Sequence, residues 1–228
     1  MKTLGMIGGT SWHSTIEYYR LINSMINQRL GEDVNPPLLL YSINIQLMKH
    51  GSRSEIQEGF LKYASTLEKA GAEAIIFCAN TPHLAYDHVA SRISIPILHI
   101  ADATGDQILQ NQYSTAGLLG TKATMTRDFI KRRLNETHGL DILVPESEES
   151  IDRVHGIIAN ELTLGQFTSA SKDYFLGEID LLRERGAEGV ILGCTELPLL
   201  IKEEDSSVPL YDTTYLHAEK AVQFILGN

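Results

Sequence analysis

The sequence predicts an α/β protein of two similar lobes, each a doubly wound, mostly parallel sheet with helices on both faces, a flavodoxin-like pseudo-repeat. Three observations carry that expectation. Short β-branched runs alternate with longer segments whose apolar residues have helical spacing. The second half of the chain then repeats landmarks of the first. Finally, those landmarks recur in the same order and at similar spacing.

The strand candidates are TLGMI (3–7), LLLYSI (38–43), AIIF (74–77) and IPILHI (95–100), then TAGLLG (115–120), LDILV (140–144), GVILG (189–193) and VPLY (208–211). Segments 14–30, 54–70 and 82–92 read as helices. In the first, Ile16, Tyr18, Tyr19, Ile22 and Ile26 follow i, i+3 and i+4 steps. GEDVNPP (31–37) and KHGSRSE (49–55) read as loops, the second a candidate closing loop, and ESEES (146–150) as a loop or a helix start.

GMIGGT (5–10) answers to GLLGTK (117–122), and LEKAGAEAIIFCANTP (67–82) to LRERGAEGVILGCTELP (182–198) with one extra residue, Gly193. IPILHIADAT (95–104) answers more loosely to VPLYDTTYLH (208–217). Gly5 lies 66 residues before Gly71, and Gly117 lies 69 before Gly186.

Composition removes several function classes. The net charge of −10 and the lack of a dense Lys/Arg cluster argue against nucleic acid and against anionic membranes. No stretch approaches the roughly 20 apolar residues that span a bilayer. The first residues, MKTLGMIGGTSWHS, lack the apolar core of a signal peptide, which with two cysteines predicts a reducing cytoplasm and free thiols. Two cysteines are too few for a Cys-rich zinc site, and the eight histidines show no metal-ligand spacing. GGTSW is not a dinucleotide fingerprint; it reads as a tight turn offering main-chain donors.

The repeat gives the two cysteines their meaning. Cys78 and Cys194 fall at equivalent places, each at a strand's C-terminal end, where parallel α/β sheets bind ligands. Taken singly, either is a small buried hydrophobe. Taken together, with Asn80 and Thr81 after the first and Thr195 after the second, they suit proton transfer across a cleft between the lobes. One thiolate removes a proton from carbon and the other thiol returns one on the opposite face. A following helix N-terminus is expected to lower the thiol pKa.

At these residues the chain resembles a known family. MIGGTSWHSTIEYYRLIN, FCANTPH, GCTELPLL and YDTTYLHAEKA are similar, in order, to the aspartate/glutamate racemases, most of all the aspartate and broad-specificity amino-acid racemase branch. The resemblance implies a racemase that uses neither pyridoxal phosphate nor metal, with Cys78 and Cys194 as the acid/base pair on a small amino-acid substrate. It also implies that Gly9, Thr10, Ala79, Asn80, Thr81, Thr121 and Thr195 contact that substrate. The first lobe is expected to be 1–100 plus 208–228, its last helix crossing back, the second 101–207, and the assembly a homodimer.

The chain departs from the family in two places. GGTSW and Glu196 stand where peptidoglycan glutamate racemases resemble D-S-G-x-G-G and G-C-T-H. The basic pair of aspartate-specific members is incomplete. Arg53 or Lys49 supplies the first member, but 154–171 holds no Lys or Arg, and Thr163 or Leu164 falls where the second is expected.

Some roles stay open between two meanings. Glu196 raises the Cys194 pKa or caps a helix. His217 orients a neighbour or is structural, and Trp12 covers the site or packs. His83, one turn past Cys78, tunes the thiol or is a solvated or capping histidine. Maleate isomerases and hydantoin racemases share the paired cysteines, and arylmalonate decarboxylases resemble them with one. A non-catalytic sensor of amino acids or dicarboxylates is the rival from outside enzymes.

Overall fold

The computed structural model describes residues 1–227; Asn228, assigned to the first lobe from sequence, lies outside them. The chain divides into two compact units, Met1–Ile100 with the stretch from Thr214 onward, and Ala101–Thr213. Each holds a four-stranded, all-parallel sheet flanked by helices.

In the first unit the order along the chain is β1 (Leu4–Gly8), α1 (Trp12–Leu30), β2 (Leu38–Ser42), α2 (Gln46–His50), α3 (Arg53–Lys69) and β3 (Ala74–Phe77). A 3₁₀ turn (Thr81–Ala85), α4 (Tyr86–Ala90) and β4 (Ile97–Leu98) follow, and α5 (Ile100–Gln110) leads into the second unit. There come β5 (Thr115–Gly120), α6 (Lys122–Thr126), α7 (Asp128–His138), β6 (Asp141–Leu143), α8 (Glu148–Asn160), α9 (Ser169–Glu184), β7 (Gly189–Gly193), α10 (Leu197–Leu200) and β8 (Leu210–Asp212). The last helix, α11 (Thr213–Leu226), returns to the first unit.

The sheets share one strand order, β2-β1-β3-β4 and β6-β5-β7-β8. All eight strand candidates are strands. Because β8 pairs with β7 through Val190–Leu210, Ile191–Tyr211 and Leu192–Asp212, residues 210–212 belong to the second unit's sheet.

Strand alternation sorts the first core into two layers. Leu4, Met6, Ala74, Ile76 and Cys78 face α1 and α11, where Tyr18, Ile22, Ile26, Ala218, Val222 and Ile225 are buried. Ile7, Ile75 and Phe77 face α3 and α4, meeting Phe60, Ala64 and Val89. Phe60 and Phe77 meet edge to face at 5.1 Å, and full burial of such a ring stabilises by roughly 1.5–3 kcal/mol. In the second unit Leu119, Val190 and Leu192 pack with Val154 and Ile158 of α8 and Phe175, Ile179 and Leu182 of α9.

Three local expectations need correction. On α1 the buried row is Tyr18–Ile22–Ile26, an i, i+4 series, whereas Ile16 and Tyr19 are each 55% exposed. KHGSRSE is not one loop. Its ends belong to α2 and α3, and Ser52 with Glu55 forms a capping box that starts α3 at Arg53. Segment 82–92 forms two short pieces rather than one helix, since Pro82 sits in a 3₁₀ turn before α4. ESEES is a helix start, with the Ser147 side chain accepting from the Ser150 N–H.

Gly9 is the position where the first turn admits no other residue. Its φ is +88°, and a Cβ there would lie 2.2 Å from the Ile43 carbonyl oxygen. Gly9→Ala therefore combines backbone strain with a clash against main chain, expected to cost about 1–3 kcal/mol or more. Thermal unfolding should show a melting temperature several degrees below the parent protein; an unchanged value would mean the turn adapts.

Candidate functional site

In a parallel sheet whose first strand is interior, the connections from β1 and β3 leave on opposite faces. They part at the C-terminal edge between those strands, where such folds bind ligands. In the first unit that point lies between β1, which ends at Gly8, and β3, which ends at Phe77. Gly9–Ser11 follow the first and Cys78–Thr81 the second.

The Gly-rich turn is held by α1. Gly9 N–H donates to Thr15 Oγ1 (2.9 Å), Thr15 Oγ1 donates to the Ser11 carbonyl (2.9 Å), and Ser11 caps the helix by accepting from Ser14 N–H (3.3 Å). Thr10 Oγ1 is shielded from solvent and has no hydrogen-bond partner among the described residues. Trp12 is not a packing residue. It opens α1 at 62% exposure, with its ring over His13 at 3.6 Å.

Cys78 is 1% exposed. Its N–H continues the sheet ladder to the Ile7 carbonyl (2.9 Å), and its carbonyl accepts from Ser14 Oγ of α1 (2.6 Å). Its thiol pKa is raised by burial, not lowered as the strand-to-helix position predicts. The chain after it makes only a 3₁₀ turn whose N-cap, Asn80, forms no side-chain cap. Withdrawal from water therefore outweighs any helix-end field.

The residues after Cys78 are tied to a buried histidine. His83 Nδ1 lies 3.0 Å from the Ala79 carbonyl and 3.1 Å from that of Asn80, and its Nε2 accepts from Ile100 N–H (3.2 Å). His83 is neither solvated nor a helix cap; it is 2% exposed, and Asn80 beside it is also buried. Burial, then the neighbouring His99 and His217, hold its pKa well below the ordinary imidazole value. His217 is fully buried in α11, with Nδ1 2.8 Å from Tyr18 Oη and Nε2 2.8 Å from the Leu98 carbonyl.

The second unit repeats the position with different chemistry. Cys194 follows β7, and its Sγ donates to Glu196 Oε2 at 2.9 Å; Thr195 Oγ1 donates to the same oxygen at 2.8 Å. Burial first, then the Glu196 charge and hydrogen bond, push the Cys194 pKa well above the usual thiol value. Of its two open roles, Glu196 takes the first: it raises the thiol, and it makes no side-chain cap on α10. Thr121 caps α6, accepting from Thr124 N–H (3.4 Å), and its Oγ1 lies 3.0 Å from Thr124 Oγ1.

Register shows that the two cysteines are offset by one position. Phe77 pairs with Ile7 just before Cys78, whereas Leu192 pairs with Leu119 and Gly193 with Gly120 before Cys194. The inserted Gly193 thus moves the second cysteine one residue along its strand. Since side-chain direction alternates, one residue exchanges the sheet face. Cys78 lies in the α1/α11 layer, and Cys194 packs against the α8/α9 core.

A family model described as Asp/Glu/hydantoin racemase matches residues 7–221. The chain belongs to this family. A solved Yersinia pestis protein assigned to the Asp/Glu racemases is 40% identical, over 99% of this chain and 100% of its own, with a TM-score of 0.94. An aspartate racemase homologue from Pyrococcus horikoshii OT3 is 37% identical over the same shares, with a TM-score of 0.88. The broad-specificity amino-acid racemase RacX of Bacillus subtilis is 22% identical over 98% of each chain. Membership in the Asp/Glu/hydantoin racemases supports amino-acid racemase activity, an isomerisation of small amino-acid substrates.

In this racemase the two basic candidates lie in the first unit beyond β2: Lys49 near the end of α2 and Arg53 at the start of α3. Both are exposed, and neither makes an ion pair among the described residues. Among the described residues no three His, Cys, Asp or Glu side chains converge as metal ligands, and no helix is long and apolar enough to cross a membrane. Ser14 and Tyr18 lie within MIGGTSWHSTIEYYRLIN, but nothing in that stretch singles them out. Only their i, i+4 spacing on α1 links them, and their partners lie 64 and 199 residues away.

The raised thiols make stability depend on alkaline pH. Above about 8.5 an unfolded cysteine ionises while Cys78 and Cys194 stay protonated in the fold. The native state then binds more protons, and stability falls as pH rises, by up to about 1.4 kcal/mol per pH unit for each thiol. Melting temperatures from pH 7.5 to 10.5 should decline less steeply in Cys78→Ala than in the parent; parallel curves would contradict the burial effect.

Proposed function

We propose that this protein interconverts the L and D forms of a polar amino acid (aspartate, glutamate or a close analogue) by moving the Cα proton between two cysteine sulfurs, without pyridoxal phosphate or metal. One observation carries the proposal. Two sheets of identical strand order each present a cysteine directly after the third strand, at the position where such sheets bind ligands.

The roles differ because the surroundings differ. Cys194 sits beside a carboxylate, which favours its protonated form, so in the proposed resting state it is the acid. Cys78 is held protonated by burial alone; the ammonium group of an arriving amino acid supplies the opposite charge that lowers its pKa, and the thiol proton leaves to solvent as the substrate enters. Cys78 thiolate then takes the Cα proton while Cys194 gives one to the other face. In the reverse direction Glu196 accepts the Cys194 proton, leaving thiolate and carboxylic acid, and the roles exchange.

Substrate contacts are assigned to Gly9, Thr10, Ala79, Asn80 and Thr81 of the first unit and to Thr121 and Thr195 of the second. Lys49 or Arg53 meets the side-chain carboxylate of an acidic substrate. The missing second cation in 154–171 argues for tolerance of uncharged polar side chains. The name of the Bacillus subtilis relative, a broad-specificity racemase, supports the same tolerance. The working form in this proposal is a homodimer.

A panel of L- and D-amino acids in deuterated water, followed by proton NMR, should show loss of the Cα–H signal with no added cofactor. Cys78→Ala and Cys194→Ala should each lower the rate by at least ~10²–10⁴-fold. Full exchange in either variant would overturn the two-cysteine mechanism. Thermal stabilisation by an amino acid without any exchange would mean a sensor instead.

With both free thiols raised, kcat/KM should climb with pH through 7–9 rather than level off. Glu196→Gln removes the acceptor of the Cys194 proton and should lower kcat/KM by ~10²-fold, alike for the two enantiomers, and change the pH profile. A profile identical to the parent's would remove Glu196 from the mechanism.

A further inference from the structure

The turn that carries Cys78 is tied to α1, α11 and the end of β4 by a run of hydrogen bonds. Peptide carbonyls only accept and a peptide N–H only donates, so such partners fix where a ring proton sits. His83 faces two carbonyls through Nδ1 and the Ile100 N–H through Nε2, so its proton is on Nδ1. His217 faces the Leu98 carbonyl through Nε2, so a proton is there, and its Nδ1 lies 2.8 Å from Tyr18 Oη. The His83 ring is neutral.

The connections run in a circle. Ser14 of α1 holds the Cys78 carbonyl, and Tyr18, one turn along the same helix, holds His217. His217 holds Leu98 at the end of β4, Ile100 two residues on holds His83, and His83 holds the carbonyls of the two residues that follow Cys78. Phe77, His99 and His217 lie 5.2, 4.5 and 5.7 Å from the His83 ring, and Tyr86 lies 4.6 Å from that of His99.

We infer that His83 is a positioning residue for Cys78, aiming the thiol by holding the Ala79 and Asn80 carbonyls through its Nδ1–H. This rests on Cys78 being a proton carrier. His83 spends its donor on the carbonyls of the two residues that directly follow Cys78, while its acceptor ties that turn to Ile100 after β4. The low imidazole pKa agrees, because it preserves the neutral ring whose bare Nε2 the Ile100 N–H requires.

Two amide substitutions separate the halves of the ring. His83→Asn places an N–H₂ near the Nδ1 position and retains the donor to the turn. His83→Gln places its amide near Nε2 and retains only a partner for Ile100. Circular dichroism first establishes that each protein is folded.

Two rates are then measured. One is Cα–H exchange on the best substrate of the parent protein. The other is alkylation of Cys78 by iodoacetamide, followed on the Cys78 peptide by mass spectrometry. His83→Gln should slow exchange by ~10²-fold through kcat with KM little changed and should change the alkylation rate of Cys78 severalfold, whereas His83→Asn stays within a few-fold of the parent in both. Equal behaviour of the two folded variants, in either direction, would overturn the inference. If the parent exchanges no amino acid, the racemase proposal fails, and the alkylation rates still decide whether His83 sets the Cys78 turn.

Discussion

A parallel strand cannot be reached from its neighbour by a tight turn, so every connection in these sheets climbs over one face or the other. With the order 2-1-3-4 the first connection goes to one side and the later ones to the opposite side. The loops must diverge at the C-terminal edge between the first and third strands. That opening follows from strand order, before any side chain is chosen. What the sequence adds is the set of residues there: a glycine whose Cβ would strike the Ile43 carbonyl, a shielded threonine hydroxyl, and a cysteine in each unit.

The dry setting that positions these thiols also opposes their ionisation. Cys78 lies in a layer with Tyr18, Ile22 and Ala218, and the loss of hydration there raises its pKa against the generic expectation for a cysteine at a strand end. Cys194 is raised further by the carboxylate it touches. In the proposed mechanism the positive charge of a substrate offsets this, each pKa unit it reverses corresponding to about 1.4 kcal/mol of binding energy.

Much of the fold was legible, because it is written in local pattern. The eight strand runs, the Gly-Ala-Glu turn at Gly71 and again at Gly186, where φ is +98° and +103°, and the Ser147 helix start all depend on residues within a few positions. Legibility ended where distance in sequence grew. Nothing near His83 announces Ile100, and nothing near Tyr18 announces His217, yet those pairs hold the Cys78 turn. The choice between the two apolar rows of α1 was equally hidden, since Ile16 and Tyr19 satisfy helical spacing as well as Tyr18 and Ile22 do. The direction of the cysteine shifts depends on depth of burial, and the one-residue offset of Cys194 depends on register. Neither can be read from the motif that flags the residue.

The central claim is that two different sulfurs serve the two faces of one Cα. It is tested most directly by the early time course of racemisation in deuterated water, starting from one enantiomer and separating the enantiomers before analysis. Two distinct bases predict that the new enantiomer carries deuterium at Cα from its first appearance while the remaining starting enantiomer stays protiated. A new enantiomer that keeps the original proton, in the way a single base would return it, would contradict the account.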